Sequence, residues 1–329
     1  MVERRLPLFA AFLAQSALAL SGGPAHGEAQ DSESAKYQQW KTAAVQTLAE
    51  RPDADSVATA AAVSYAGSDK LKTNAAALGL AGRAAELAPQ DAAVGWLRLQ
   101  LCVHAPPCDV RAAATAMRWL DADNAAAWLP TLAAAERDRD STEIDRILAG
   151  MAHGKRFDVY WNRIVVFMFD ALKEVATSLP GDRMNSDSKR LLYVMGIASG
   201  ELIPSFTALA EPCKDSAAGP ERRESCLKVA RMMQQGDTVL VQMMGLGIER
   251  RLAPPDGKEA RGIGERKRQL EWRMTTAAKF DNPVFPWLWN AHARWRLARM
   301  RATPREEDVL IAILRKQGLA IEPPGGGHL

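Results

Sequence analysis

Runs of Val, Ile and Thr that alternate with polar residues between turn signals are almost missing from this sequence. That excludes a β-rich fold and leaves the recurring i, i+3, i+4, i+7 apolar spacing to specify an all-α one. An excess of charge of one sign is missing as well: the formal net charge is +3 on 329 residues, too small for a general polyanion binder. Histidine numbers 5 and cysteine 4, and no four-ligand spacing joins them, so neither metal nor cofactor is expected. Gly-x-Ser-x-Gly and Gly-x4-Gly-Lys-Ser/Thr do not occur, which removes the nucleophile elbow and the phosphate loop. Gly245-Leu246-Gly247 and Gly262-Ile263-Gly264 are too short for a dinucleotide fingerprint and follow no strand.

One long apolar run is present. Arg4 and Arg5 precede the uncharged stretch Leu6 to Leu20, about 15 residues, which is short of the roughly 20 that span a membrane. Small residues follow, so residues 1–30 read as a signal peptide and short polar linker, with Ala17-Leu18-Ala19 as one cleavage site and Ala25-His26-Gly27 as a weaker one. The expected address is secretion across an inner membrane to the periplasm, which makes nucleic acid an improbable partner. Cysteine usage agrees, because the four fall into two close pairs, Cys102 with Cys108 and Cys213 with Cys226, and local disulfides suit an oxidising compartment. Cys102-x-His104-x3-Cys108 as the start of a metal site is the competing reading, and it lacks further ligands.

The chain also repeats itself. Trp96, Trp128 and Trp161 stand 32 and 33 residues apart, and Leu87-Ala88-Pro89-Gln90-Asp91 before the first is echoed by Leu120-Asp121-Ala122-Asp123-Asn124 before the second. Such a period, filled with alanine-rich helical sequence, marks stacked helix pairs in which these tryptophans pack one pair on the next. The pattern predicts helices at 36–50, 56–66, 70–87, 92–103, 110–120, 125–137, from 141 and over 157–172, with Asp109, Asn124 and Ser141 or Asp140 as caps. The last of these is the most apolar and should be buried. The two phrases resemble degenerate tetratricopeptide repeats over about residues 70–172, although Pro130 and the missing Gly and Tyr positions depart from that pattern. The resemblance implies an α-solenoid of antiparallel helix pairs over 31–175 that binds protein or peptide.

After Leu179-Pro180-Gly181-Asp182 the phrase is lost, and a C-terminal helical region is expected over 176–317, followed by a flexible tail at 318–329. Its prolines place helices at about 186–200, 203–211, 220–235, 237–252, 258–279, 284–301 and 305–317. Ser186-Asp187-Ser188-Lys189 spells a Ser-x-x-Lys, but its companion motifs are absent, so Ser186 or Asp187 reads as a helix cap. Met232-Met233 and Met243-Met244 could bind copper(I), though Gly236-Asp237 breaks the helix between them and core packing is the ordinary use. A cationic aromatic stretch stands out over 261–301. There Trp287, Trp289, Arg294, Arg296 and Arg299 form a candidate partner-binding surface for acidic proteins or an anionic envelope surface, against the plainer reading of a docked helix with solvated Arg heads. The expectation is therefore a non-catalytic protein-interaction or scaffold module. Its alternatives are a cell-envelope enzyme and a peripheral membrane or polyanion binder.

Overall fold

The computed structural model describes residues 25–66, 70–176, 186–214, 219–254, 257–281 and 286–324. Among these the chain is all-α, with 15 α-helices, no strand and one isolated bridge between Asn124 and Arg156. Contacts divide it into residues 1–40 and 41–329. The described part of the first unit is the start of α1 (Ala25–Ala49), where the Tyr37 and Trp40 rings stack 6.2 Å apart. Ala17-Leu18-Ala19 lies outside the described residues, and Ala25-His26-Gly27 opens α1. No described helix is long and apolar enough to cross a membrane.

In the second unit, helices stack on their successors from α2 to α7: α2 (Ala54–Tyr65), α3 (Lys70–Leu87), α4 (Ala92–His104), α5 (Val110–Leu120), α6 (Leu129–Asp138) and α7 (Ser141–Ala152). Short acidic or amide side chains start them. Asp53, Asp91, Asp109 and Asp140 each accept an N–H of the following first turn, as Asn124 does for a 3-10 turn at Ala125–Trp128. That turn replaces the first part of the helix expected over 125–137. Pro130 carries no N–H and suits only the first turn of an α-helix, so α6 begins at Leu129. Helix α2 is buried on every side from Val57 to Val63, because α3, α4 and α8 pack around it and its alanines let them approach.

The chain then turns back. Helix α8 (Trp161–Ala176) packs against α2 on one hand and against α9 (Asp187–Ile197) and α14 (Pro286–Ala302) on the other, so helices from both sides of residue 175 share one core. Arg163 in its first turn reaches Asp55 and the α4 cap Asp91 at 2.9 and 3.0 Å. After α9 a π turn leads to Ile203, which is extended as the residue before Pro204 must be, and only Thr207–Ala210 (α10) is helical where 203–211 was expected. The remaining helices are α11 (Pro220–Met233), α12 (Val239–Leu252), α13 (Lys258–Asp281) and α15 (Glu306–Lys316). Helices α11 and α12 cross where a Cβ on Gly245 would lie 2.5 Å from the Ala230 carbonyl, so only glycine permits that approach. Beyond α15, the carbonyls of Ala320 and Ile321, in the segment expected as a flexible tail, accept from Trp272 Nε1 and Arg273 Nε at 3.0 and 3.2 Å.

Both local disulfides form. Cys102–Cys108 ties the end of α4 to the approach to α5, and Cys213–Cys226 ties the segment after α10 to the second turn of α11, with Cα atoms 5.3 and 5.6 Å apart. Cys213 and Cys226 are wholly buried. Closing a loop of this size stabilises a fold by about 3 kcal/mol. Replacing Cys213 and Cys226 by Ala should therefore lower the unfolding free energy by about that amount, read from the urea midpoint against the wild type. A loss below about 1 kcal/mol would show that the loop is held by its packing instead.

Candidate functional site

Helix α5 buries few side chains. Its sequence is a run of small residues between Asp109, whose Oδ1 accepts the Ala112 N–H at 2.9 Å, and Asp121, whose N–H returns to the Met117 carbonyl. Ala114 and Met117 are buried, Ala112 and Ala116 are exposed, and Trp119 is 85% exposed. At 100° per residue, Trp119 lies about 200° around the helix from Met117, on the face turned away from the core.

Two clefts flank that face. On one side, Ala85 of α3, Pro89 of the turn after it, and Gly95, Arg98 and Leu99 of α4 enclose a mainly apolar cleft of about 210 Å³ with Ala113, Ala116, Met117 and Leu120. On the other, Arg111, Thr115 and Arg118 of α5 meet Thr131, Asp138, Asp140, Glu143 and Arg146 around a polar cleft of about 350 Å³. A shallow surface over the crest joins them: Ala116 belongs also to the apolar cleft, Arg111 and Thr115 also to the polar one, and Trp119 stands between.

The electrostatics of the polar side are uneven. Glu143 accepts two bonds of 2.6 Å from Arg146, which hold its carboxyl below the usual range, and Asp140 caps the Glu143 N–H at 3.0 Å. The Arg118 guanidinium lies 4.4 Å over the Trp128 ring and donates to Thr115 Oγ1 at 2.8 Å. Its Nη1 is covered and has no acceptor among the described residues. Burial, followed by repulsion from Arg146, lowers its pKa from the ordinary arginine value. Arg98 and Arg111 make no ion pair or side-chain hydrogen bond within that set.

The wall behind this surface is fixed by a polar hub. Arg156 pairs with Asp121 and, at 2.8 Å, with Asp158, while the Tyr160 hydroxyl donates to Asp121. Asn124 Oδ1 accepts from Ala126 and Asp158 N–H at 3.1 and 3.0 Å, and its Nδ2 donates to the Asp158 carbonyl and the Tyr160 hydroxyl at 2.9 and 3.0 Å. Tyr160 takes φ +57°, a left-handed value rare for a bulky residue. Residues 157–160 are therefore not helical, and α8 begins at Trp161 where a helix from 157 was expected. From the far side Asp237 accepts the Val159 and Trp161 N–H groups at 2.9 and 3.2 Å. Gly236 admits this approach, since a Cβ there would lie 2.8 Å from the Phe157 carbonyl.

The residues singled out in the sequence fall in several places. Trp96 is wholly buried beside Tyr160 and donates to the Leu202 carbonyl at 3.3 Å; Trp128 is half-buried over Gly150; Trp161 is buried at the start of α8. Trp287 lies in α14, and its side chain is outside the described residues. Arg294 pairs with Asp187 at 3.0 Å, Arg301 pairs with Asp170, Arg296 is buried, and Arg299 lies 5.7 Å from the Trp295 ring. Trp289 is half-buried. Ser186 Oγ accepts the Lys189 N–H at 3.3 Å and so caps α9. Trp119, Arg111 and Arg118 were not singled out. The signal for Trp119 was its position opposite Met117 on an otherwise alanine-lined helix. No family model, no curated protein and no solved structure matches the chain, so its function is argued from this geometry.

Asp237 gives the hub a pH dependence. Burial, then repulsion from Asp158, pushes its carboxyl up to about 7 against the opposing pull of the two N–H bonds. An unfolded Asp titrates near 3.9, so between about pH 4 and 7 the folded state holds a proton that the unfolded chain has released. The stability contributed at this position is full below that window and falls as the pH rises through it. Asp237→Asn removes the titration: the stability of the wild type relative to this variant should decrease from pH 4 to pH 8 in urea unfolding. A difference that stays constant or grows would refute the assignment.

Proposed function

We propose that this chain is a non-catalytic interaction module that binds a protein or peptide partner through the α5 surface. The observation that carries the reading is Trp119, 85% exposed on a helix flanked by an apolar and a polar cleft. Leaving so large an apolar ring in water is unfavourable, and tryptophan is enriched among the residues that anchor interfaces. Stacked helix pairs whose flanking faces stay open suit such a role, in keeping with the tetratricopeptide-like repetition around Trp96 and Trp128. Two local disulfides and the Arg4-Arg5 apolar leader favour the periplasm as its place of action. The polyanion-binding reading of α14 is less favoured, because Arg294 and Arg301 are engaged by Asp187 and Asp170 and Arg296 is buried. For the enzyme reading, the one nucleophile-like motif uses its Ser186 hydroxyl as a helix cap.

Site-specific photo-crosslinking in cells tests this. Benzoylphenylalanine at Ala112, on the crest, should give a discrete adduct that Trp119→Ala weakens, while the same probe at Leu192, 75% exposed on α9, should give none. Trp119→Ala should leave the unfolding free energy within about 0.5 kcal/mol of the wild type, as an exposed substitution does. Equal adducts at both positions, or none at Ala112, would count against the α5 surface.

A further inference from the structure

We propose that the occupant of the α5 surface is an acidic, extended segment of a partner protein. It seats one apolar side chain in the cleft between α4 and α5 and places a carboxylate about three or four residues away in the polar cleft. This deepens the function proposed above and rests on it.

Charge points to the acid. Around α5 stand Arg98, Arg111, Arg118 and Arg146 against Asp109, Asp138, Asp140 and Glu143, and among the described residues more of the guanidiniums than of the carboxylates lack a bonded partner. Asp109 and Asp140 accept helix N-terminal N–H groups and Glu143 is held by Arg146, while Asp138 makes no ion pair or side-chain hydrogen bond among the described residues. Arg98 and Arg111 have no acceptor among the described residues, nor does Arg118 Nη1, and Arg146 opposes the half-covered Arg118 charge more than Glu143 relieves it. A carboxylate entering the polar cleft would relieve that repulsion and supply the acceptor Arg111 lacks. The hydroxyls of Thr115 and Thr131 line the same cleft.

Shape points to a peptide. The apolar cleft, about 210 Å³, is below the range of small-molecule pockets and the size of a single aliphatic or aromatic side chain. The two clefts lie on opposite sides of one helix, roughly 10 Å across with its side chains. An extended chain advances about 3.3 Å per residue, so about three or four residues bridge the crest. Ala112 and Ala116 keep the crest low, and Trp119 can cover the chain as it passes. A bare polyanion would leave the apolar cleft and Trp119 unused. A membrane surface could not reach into a cleft on either side of a helix.

Selection of random twelve-residue peptides displayed on ribosomes, against the immobilised full chain, tests the inference. Enriched sequences should carry Asp or Glu three or four residues from Leu, Ile, Met or an aromatic residue. The best of them, labelled and followed by fluorescence anisotropy, should bind about tenfold more weakly to Arg111→Glu and lose affinity as salt is raised. Ala116→Arg, which obstructs the apolar cleft from an exposed position, should abolish binding. Enrichment of neutral or basic peptides whose binding Trp119→Ala abolishes and Arg111→Glu spares would overturn the acidic occupant while leaving the contact face intact. Peptides that bind Trp119→Ala and Ala116→Arg as they bind the wild type would overturn the contact face itself. No enrichment, or Arg111-dependent binding of phosphatidylglycerol vesicles in its place, would overturn the peptide.

Discussion

Asn124 binds Asp158 and Tyr160 while Asp237 binds Val159 and Trp161, and between them they hold residues 157–160 out of helical geometry so that α8 starts only at Trp161. Asn124 uses both faces of its amide, accepting two N–H groups and donating to a carbonyl and a hydroxyl. Asp237 uses both oxygens on the N–H groups of Val159 and Trp161. Losing either side chain would strand buried N–H groups, at a cost of about 1–3 kcal/mol for each. Helix α8 inherits its position from this brace. Because α2, α9 and α14 all pack on α8, the stacking of the early helices and the return of the later ones depend on the same few hydrogen bonds.

Much of this fold is legible in the sequence. Asp109 and Asn124 cap the elements that their spacing announced, the limits of α3 and α5 agree with the apolar period, and both disulfides join the nearest cysteines. These features are local: a cap acts over three residues and a short disulfide loop over a few more. The errors fall where a distant group overrode a local preference. Phe157, Val159 and Trp161 suit an apolar helix face as well as an extended strand, and the arbiter is Asp237, 78 residues from Val159. Pro130 did announce a boundary. The repeat phrase suggested a helix from Ala125, and the pyrrolidine ring allowed one only from Leu129.

The candidate site was less legible than the fold. Recurring Trp96, Trp128 and Trp161 draw the eye, yet Trp96 and Trp161 are buried and Trp128 carries the Arg118 guanidinium. The cationic stretch at 261–301 looked like a surface because a sequence gives no sign of which charges are already paired. Asp187 and Asp170, which take up Arg294 and Arg301, lie more than a hundred residues away. Trp119 had the opposite fault. Standing beside Leu120 and two residues from Met117, it passes for core until its angle around the helix is considered.

The brace and the site are also mechanically joined. Asp121, which ends α5, is the residue that Arg156 and Tyr160 bind, so the C-terminal end of the exposed helix is clamped to the non-helical segment before α8. Trp128, under the Arg118 guanidinium, ends the 3-10 turn that Asn124 caps. The hub thus ties down the end of α5 and the turn before α6 beside the polar cleft, in addition to the packing of these helices, and Cys102–Cys108 restrains the approach to α5 from the other end. A surface held this way loses little conformational freedom when a partner binds, and avoided ordering cost is affinity gained without further contacts. This accounts for how a helix with only Ala114 and Met117 buried can still present a fixed face. Fastening at its two ends adds to the packing of Ala114 and Met117 and leaves the side chains on its outer face available for contact.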